Sequence, residues 1–248
     1  KMISVFADPA KPGTRRHQGV IVMFEPVEGR PVAIVDAEEV THIRTAAATA
    51  VATDALARPD ARNLLIMGTG GQANAHLAAM PLIRNFQRIA IWGRDMNKAR
   101  ALAQRYADKL PVEPAGEIVN EVGRADVICT LTSSSTPILA GEWLSPGCHV
   151  NIVGSSGPGP VEVDSALVAR SRFIVDSRAS ALDAAAEFLV AKAEGLVGDE
   201  HIAAEIGEVL LGFAPGRQSG EQITAYKSLG HAVQDLAVAA HLYRSTKS

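Results

Sequence analysis

The fold is decided by residues 64–73, Leu-Leu-Ile-Met-Gly-Thr-Gly-Gly-Gln-Ala. The apolar start predicts a buried strand, the glycines predict a tight turn, and the residues that follow favour a helix. In a βαβ unit that binds a dinucleotide, Gly68 permits the turn, Gly70 lets backbone N–H groups approach a pyrophosphate, and Ala73 lets the helix pack closely on the strand. Glycine-rich turns also occur without a ligand, so the context has to decide. The residues that we assign to the phosphates are Gly68, Thr69, Gly70, Gly71, Gln72 and Ala73.

The composition is that of a globular chain with one large domain or two modest ones, since 47% of the 248 residues are hydrophobic and 21% are charged. A net charge of −3 without long blocks of like charge argues against nucleic-acid binding. Because no apolar run approaches the ~20 residues of a membrane span and no signal peptide opens the chain, we expect no membrane segment. Cys129 and Cys148 lie in apolar runs, which favours buried thiols and a cytoplasmic location. Because the sequence begins with Lys1 inside an apparent strand, we expect the natural protein to begin earlier.

From residue 63 onward, strand patterns alternate with helix patterns, which predicts a doubly wound parallel sheet of the Rossmann type. The predicted strands cover residues 64–67, 89–92, 127–130, 149–153 and 173–175, and the predicted helices start at 72 and cover 97–106.

The two ends of the chain have a different pattern. Short strand patterns over 2–6, 19–25 and 30–36, with turn-rich pieces between them, predict an antiparallel sheet. Asp36 and Glu39 resemble a capping box at the start of an alanine-rich helix. Near the other end we predict a strand over 222–227 and a helix over 231–244. The residues that would form the buried face of that last helix are Val233, Leu236, Ala237, Ala240 and Leu242.

The end of the strand over 89–92 is where such folds contact the ribose of a dinucleotide. An acidic residue there favours NAD, whereas Gly93 followed by Arg94 leaves room and charge for the 2′-phosphate of NADP. We therefore predict NADP, with NAD possible. The alternative is that Arg94 is a solvated surface residue and that Asp95 caps the next helix.

Two polar loops follow the strands over 127–130 and 149–153. Ligands of open α/β sheets bind at the carboxyl ends of the strands, so we expect both loops to border the cofactor near its nicotinamide. The residues that we assign to this border are Thr130, Thr132, Val153 and Gly154. The alternative is ordinary turn chemistry, since small polar residues occur in any loop.

Five motifs resemble the ornithine cyclodeaminase/mu-crystallin family, in the family's order and approximate spacing. They are KMISV at 1–5, HIRTAAA at 42–48, MGTGGQA at 67–73, DVICTLT at 126–132 and TAYKSLG at 224–230. The resemblance implies a homodimer in which a Rossmann domain, 61–214, is inserted in a smaller α+β domain for substrate binding and dimerisation, 1–60 plus 215–248. A helical N-terminal region of that family is absent from this sequence, as expected of a truncated chain. We also assign Ser228, in the last motif, to the cofactor site.

The resemblance further implies that Lys1 and Arg44 face the substrate. Arg44 would hold a carboxylate through two parallel hydrogen bonds, and Lys1 would add a compact positive charge. Without the resemblance, Lys1 would be interpreted as a frayed terminus and Arg44 as a helix-surface charge.

One departure from the family bears on the reaction. Cyclodeaminases of this family carry an aspartate in a loop where this chain has Ser156. Ring closure of ornithine with loss of ammonia needs a group that takes up and returns a proton, which a serine without a partner base does not provide. Reduction of an imine that is already cyclic needs less, namely a hydride donor and a carboxylate clamp. Ser156, as the third predicted catalytic residue beside Lys1 and Arg44, therefore favours a reductase.

The predicted function is an NAD(P)H-dependent reduction of pyrroline-2-carboxylate or piperideine-2-carboxylate to proline or pipecolate. One alternative is a true ornithine cyclodeaminase in which Glu162 or Asp164 replaces the missing aspartate. Others are an amino-acid dehydrogenase and a non-enzymatic NADPH-binding protein. His201, Glu205 and Glu208 share a helical spacing that is more typical of a solvated face, so we predict no metal site.

Overall fold

The structure is a computed structural model that describes residues 1–5 and 17–246. Its contacts define two compact units, one of Lys1–Thr45 with His231–Ser248 and one of Ala46–Gly230. The strands are β1 (Met2–Val5), β2 (His17–Phe24), β3 (Pro31–Asp36), β4 (Asn63–Met67), β5 (Arg88–Trp92), β6 (Val112–Pro114), β7 (Val127–Thr130), β8 (His149–Ile152), β9 (Arg172–Val175), β10 (Ile202–Glu205) and β11 (Thr224–Lys227). The helices are α1 (Ala37–Leu56), α2 (Gly71–Ala79), α3 (Met96–Tyr106), α4 (Ile118–Arg124), α5 (Ser165–Arg170), α6 (Arg178–Ala184), α7 (Ala186–Ala193), α8 (Ile206–Leu210) and α9 (Ala232–Ser245). Short 3-10 helices cover Met80–Leu82, Gly141–Trp143 and Asp199–His201.

The larger unit is built on a parallel sheet in which the described residues form eight strands, in the order β10-β9-β11-β8-β7-β4-β5-β6. Successive residues of β4 contribute to different hydrophobic clusters, Leu65 and Met67 to one and Leu64 and Ile66 to the other. Because alternate side chains of a strand point to opposite faces, both faces of this sheet are covered. The α/β Rossmann-type fold predicted from the sequence is confirmed.

The direction of the strand order reverses at β4. On one side of it lie β5 and then β6, and on the other lies β7, which follows them in the chain. In doubly wound sheets the carboxyl ends of the strands at such a switch point border a ligand crevice. The loop after β4 and the loop after β7 are therefore the first places to look for a cofactor site.

The smaller unit contains an antiparallel sheet in the order β1-β2-β3. Its hydrophobic cluster includes Ile21, Val40 and Ala239, all buried. The carboxylate of Asp36 accepts hydrogen bonds from the N–H groups of Glu38 and Glu39, at 2.8 and 2.9 Å, and so caps α1 as its sequence predicts.

The last strand differs most from the sequence prediction. The prediction placed residues 215–248 in the smaller domain, but β11 pairs with β8 and β9 inside the parallel sheet, and the larger unit extends to Gly230. Its four residues are all buried because the strand has a neighbour on each side and covered faces above and below. Strands β6 and β10, at the two edges of the sheet, were not predicted.

The predicted buried face of the last helix is confirmed only in part, since of its residues Leu242 packs against the core of the smaller unit. Val233 and Leu236 are 60% and 57% exposed, and the buried residue of α9 is Ala239. Alanine occurs around most of this helix, so apolar periodicity does not define one face. Of the first predicted strand, residues 2–5 form β1, whereas Phe6 lies outside the described residues.

Both cysteines are buried thiols, as predicted. Cys129 and Cys148 are free and each is 1% exposed or less. Burial in apolar surroundings raises the pKa of each thiol to about 12, so both stay protonated and unreactive at neutral pH.

Candidate active site

The turn after β4 has the backbone that the glycine pattern predicts. Gly68 has a φ of +145°, and its N–H donates to the carbonyl of Trp92 at 2.8 Å. A Cβ atom on Gly68 would lie 2.7 Å from the carbonyl oxygen of Leu131, which follows β7. Glycine is therefore required twice at this position, by its backbone conformation and by the approach of the neighbouring loop.

The start of α2 offers N–H groups to an anion. Gly70 is the N-cap residue, with no side-chain cap, and a Cβ atom placed on it would contact nothing within 4 Å. Gly71 and Gln72 open the helix, and the fully buried Ala73 lies where the dinucleotide fingerprint requires a small residue against the sheet. Uncapped N–H groups and the helix dipole suit this end to a phosphate.

The end of β5 combines a small residue with an exposed cation. A Cβ atom on Gly93 would lie 2.8 Å from Cγ2 of Thr69, so the two loops touch here. Asp95 is engaged as the N-cap of α3, where it accepts from the N–H of Asn97 at 3.0 Å. Arg94 is exposed. The helix cap that the sequence offered as an alternative for Asp95 is therefore present, and Arg94 remains the charged group at this strand end.

Glu162 connects the loops that follow β7 and β8. Its carboxylate accepts hydrogen bonds from the N–H and hydroxyl of Thr132, at 2.6 and 2.7 Å, from the hydroxyl of Thr130 at 2.8 Å, and from the N–H of Gly154 at 2.7 Å. Burial raises the pKa of Glu162, while these donors act in the opposite sense. With four donors on one buried carboxylate, the two loops are held in a fixed relation at the carboxyl edge of the sheet.

This arrangement assigns different positions to the four residues predicted at the nicotinamide. Thr130 is fully buried with its hydroxyl turned to Glu162, so its side chain is not exposed toward a ligand. Thr132 is partly exposed, and Val153 is 7% exposed. Gly154 is exposed, and a Cβ atom there would collide with the carbonyl of Thr132.

A buried ion pair supports the loop that carries Ser156. The ammonium of Lys227, at the end of β11, lies 2.8 Å from the carboxylate of Glu187, and both side chains are 0% exposed. Lys227 also donates to the carbonyl and hydroxyl of Ser155, at 2.7 and 2.6 Å, and the hydroxyl of Ser155 donates to Glu187 at 2.5 Å. The neighbouring Ser156 is exposed, so it lies at the surface directly after a residue, Ser155, that is held by buried contacts.

Two buried polar atoms fit a cofactor at this edge of the sheet. Within the described part of the chain, the Ser228 hydroxyl and the side-chain oxygen of Gln72 have no hydrogen-bond partner. Ser228 directly follows β11, and its N–H donates to the carbonyl of Ile152 at 3.0 Å. Since buried polar groups are nearly always paired, an unpaired hydroxyl beside the nucleotide loops fits a polar group such as a carboxamide.

In the smaller unit the structure brings together the two predicted substrate residues. The side chains of Lys1 and Arg44 approach the same oxygen of Asp235, with Lys1 Nζ at 2.9 Å and Arg44 Nε at 3.4 Å. Lys1 also donates to the hydroxyl of Thr41 at 2.7 Å, and Arg44 donates to the side-chain oxygen of Gln234 at 3.0 Å. Two cations at one point form the kind of site that holds a carboxylate.

Sequence reasoning missed Asp235, Glu187 and Lys227. Two of them had a local signal, since Asp235 lies in the first turn of a helix and Lys227 is a charged residue at the end of a buried strand. Their partners, however, are distant in the chain.

No helix among the described residues is both long enough and apolar enough to cross a membrane.

Known proteins similar to this chain match it over nearly its whole length. Delta(1)-pyrroline-2-carboxylate reductase of a Bacillus cereus strain is 36% identical over 247 residues, covering 98% of this chain and 75% of that protein. Ketimine reductase mu-crystallin of Mus musculus is 34% identical over 250 residues, covering 100% and 76%. The solved structure of Thermococcus litoralis Delta(1)-pyrroline-2-carboxylate reductase in complex with NADH and L-proline has a TM-score of 0.92 and 29% identity, covering 97% and 75%.

The motifs that carry the resemblance lie in both compact units, and they include the glycine turn and the Lys1 and Arg44 segments. The family model for the ornithine cyclodeaminase/mu-crystallin family matches residues 1–248. The chain belongs to the ornithine cyclodeaminase/mu-crystallin family.

Proposed function

We propose that this chain is a reductase of a small cyclic imino acid, which converts Δ1-pyrroline-2-carboxylate or Δ1-piperideine-2-carboxylate to proline or pipecolate. A bound reduced nicotinamide would supply the hydride. A substrate that arrives as an iminium ion already carries the proton that the product nitrogen needs, so the protein would not have to donate one in this step. The protein then has to position the ring and hold its carboxylate, which are the roles proposed for Arg44 and Lys1.

The observation that carries this proposal is the absence of a free carboxylate beside Ser156 in the described loop after β8. Cyclodeaminases of this family have an aspartate at that place. The two carboxylates that we considered as replacements are both engaged. Glu162 accepts four hydrogen bonds in a buried position, and Asp164 caps α5 through the N–H of Leu167 at 2.9 Å. Both carboxylates hold loops in place through these hydrogen bonds and are not presented to a substrate amine, which favours reduction over cyclodeamination.

We propose NADP as the preferred nucleotide. Asp95 is occupied as a helix cap, and the exposed Arg94 is suited to a 2′-phosphate. The Thermococcus litoralis relative was solved with NADH, so the choice of nucleotide needs its own measurement.

We further propose a homodimer, as the family resemblance implies, and the cytoplasm as its location. Large apolar side chains are exposed on the smaller unit, among them Met2, Phe24, Ile34, Val233 and Leu236. Exposed apolar side chains mark an interface where they form one patch, and these are the residues that we propose for it. The buried, unpaired thiols fit a reducing compartment. Light scattering of the purified protein tests the dimer, and a monomeric mass would contradict it.

The function is tested with the purified protein, each cyclic imine, and NADPH or NADH, by following oxidation of the nucleotide. We expect turnover with at least one imine and a higher kcat/KM with NADPH. Failure with both imines and both nucleotides would overturn the proposal. Two further substrates separate the alternatives. Proline and ammonia formed from ornithine would indicate a cyclodeaminase, and turnover of a 2-oxo acid that requires ammonium would indicate an amino-acid dehydrogenase.

A further inference from the structure

The cluster at Lys1 and Arg44 contains a third charge that the proposed reaction does not use. One oxygen of Asp235 lies between the two cations, 2.9 Å from Lys1 Nζ and 3.4 Å from Arg44 Nε. The side chains of Lys1, Arg44 and Asp235 are 17%, 11% and 14% exposed, so water screens these charges only partly.

The cluster has a definite charge. The other side chains that bond to it among the described residues, Thr41 and Gln234, are neutral. Two cations and one carboxylate therefore leave a net charge of +1. This charge is the complement of one substrate carboxylate, and it would be +2 without Asp235.

The fold fixes Asp235 independently of any ligand. It lies in the first turn of α9, whose N-cap is His231 and whose first turn carries a capping box completed by Gln234. A carboxylate in this turn is stabilised by the helix dipole. Further along, α9 is anchored in the core of the smaller unit by the fully buried Ala239. Asp235 is thus a permanent part of the cluster.

We propose that Asp235 is a specificity-determining residue, which limits the substrate of this chain to cyclic imines with a single carboxylate. The inference rests on the proposed function, because it takes Lys1 and Arg44 as the carboxylate site. A second carboxylate on the substrate would find no unpaired cation in the cluster and would be repelled by Asp235. Discrimination of this kind comes from the unfavourable interaction with the wrong ligand as much as from the favourable one with the right ligand.

A matched pair of substrates tests the proposal. Δ1-Piperideine-2-carboxylate and Δ1-piperideine-2,6-dicarboxylate share one ring and differ by one carboxylate. The Asp235→Asn variant keeps the size of the side chain and removes its charge. We expect the ratio of kcat/KM for the monocarboxylate to kcat/KM for the dicarboxylate to fall by about tenfold or more in this variant. If Asp235 only holds Lys1 and Arg44 in place, both values fall by the same factor, and that result would overturn the proposal.

Binding of the two product-like ring acids keeps this test separate from that of the proposed function. Calorimetry of the protein loaded with oxidised nucleotide compares L-pipecolate with piperidine-2,6-dicarboxylate. We expect the native protein to prefer L-pipecolate and the Asp235→Asn variant to lose that preference. A protein that reduces neither imine but shows this change in binding would contradict the reductase and support the role of Asp235. No preference in the native protein, including no binding of either acid, would contradict the role of Asp235.

Glu39→Gln is the matched control. Glu39 is an exposed carboxylate of the same unit and its removal changes the net charge of the chain equally. We expect it to leave both the kcat/KM ratio and the binding preference unchanged. A shift equal to that of Asp235→Asn would mean that overall charge, and not the cluster, sets the preference, and the proposal would fall.

Discussion

Replacing Lys227 by methionine removes the cation of the buried pair while keeping a side chain of similar length. The ammonium then loses its ion pair with Glu187 and its two hydrogen bonds to Ser155. Glu187, which is 1% exposed, then has only the Ser155 hydroxyl and the N–H of Glu162 as donors. We expect the larger unit to be strongly destabilised.

The magnitude follows from the burial of both partners. Removing one member of a fully buried ion pair leaves an uncompensated charge and typically lowers the free energy of unfolding by about 3–5 kcal/mol. The methionine side chain fills most of the space, so no large cavity adds to this. With a urea dependence of about 2 kcal/mol per molar, the unfolding midpoint should fall by about 1.5–2.5 M.

Urea unfolding followed by tryptophan fluorescence measures the right part of the chain. Both tryptophans, Trp92 and Trp143, lie in the larger unit together with Lys227. Lys192→Met is the matched control, since it removes the same charge from the ion pair with Asp199, in which both side chains are solvent-exposed. Exposed pairs contribute about 0–1 kcal/mol, so the control midpoint should hardly move.

A double replacement sharpens the test. In Lys227→Met with Glu187→Leu, no charge is left buried, and we expect much of the lost stability to return. Equal destabilisation by Lys227→Met and by the exposed control would refute the reasoning. The reasoning would also be refuted if Glu187→Leu destabilised Lys227→Met by as much as it destabilises the native protein.

Three further substitutions test the nucleotide loops. Gly68→Ala brings a Cβ atom to 2.7 Å from the Leu131 carbonyl oxygen, at a backbone φ of +145° that alanine rarely adopts. We therefore expect nucleotide affinity to fall by about tenfold or more in fluorescence titrations. Unchanged binding would contradict the assigned turn. Arg94→Ser should raise KM for NADPH by about tenfold while leaving KM for NADH unchanged. The control Arg100→Ser, on the surface of α3, should change neither value. Equal effects of Arg94→Ser on the two nucleotides would count against a 2′-phosphate contact. Burial raises the pKa of Glu162 above its ordinary value of 4.5, so the folded state binds this proton more tightly than the unfolded chain does. The native protein should therefore lose stability relative to Glu162→Gln as the pH rises from 4.5 through the raised pKa. Urea midpoints of both proteins across that range measure this, and a difference independent of pH would contradict it.

The parts of the fold that are determined by residues close together in the sequence were predictable. The glycine turn, the cap at Asp36 and the alternation from residue 63 all follow from patterns within a few residues, and the structure confirms the fold that they imply. The turn could not identify the cofactor or the reaction by itself. Arg94 and Ser156, both further along the chain, suggested those.

The supporting residues of the site were not predictable, because their partners are distant. Nothing near Arg44 indicates that it approaches Asp235, and nothing near Lys227 indicates that Glu187 on another element balances its charge. A charged residue in a buried strand signals that a partner exists, but only tertiary structure says which one. The buried face of α9 was predicted only in part for a related reason, since alanine on most sides of a helix is compatible with several packing faces.

The place of β11 determines when this sheet can be completed. The strand is made from residues 224–227, which follow every other described strand in the chain, yet it lies between β8 and β9 and pairs with both. Until it is synthesised, β8 and β9 each have an unpaired edge toward the gap, and unpaired edges are prone to intermolecular pairing. Synthesis of the earlier strands therefore yields an incomplete sheet, and folding of the nucleotide-binding unit depends on the arrival of its last strand. The same strand carries Lys227 and leads into Ser228, so the residues proposed for the site come together only when this strand completes the sheet.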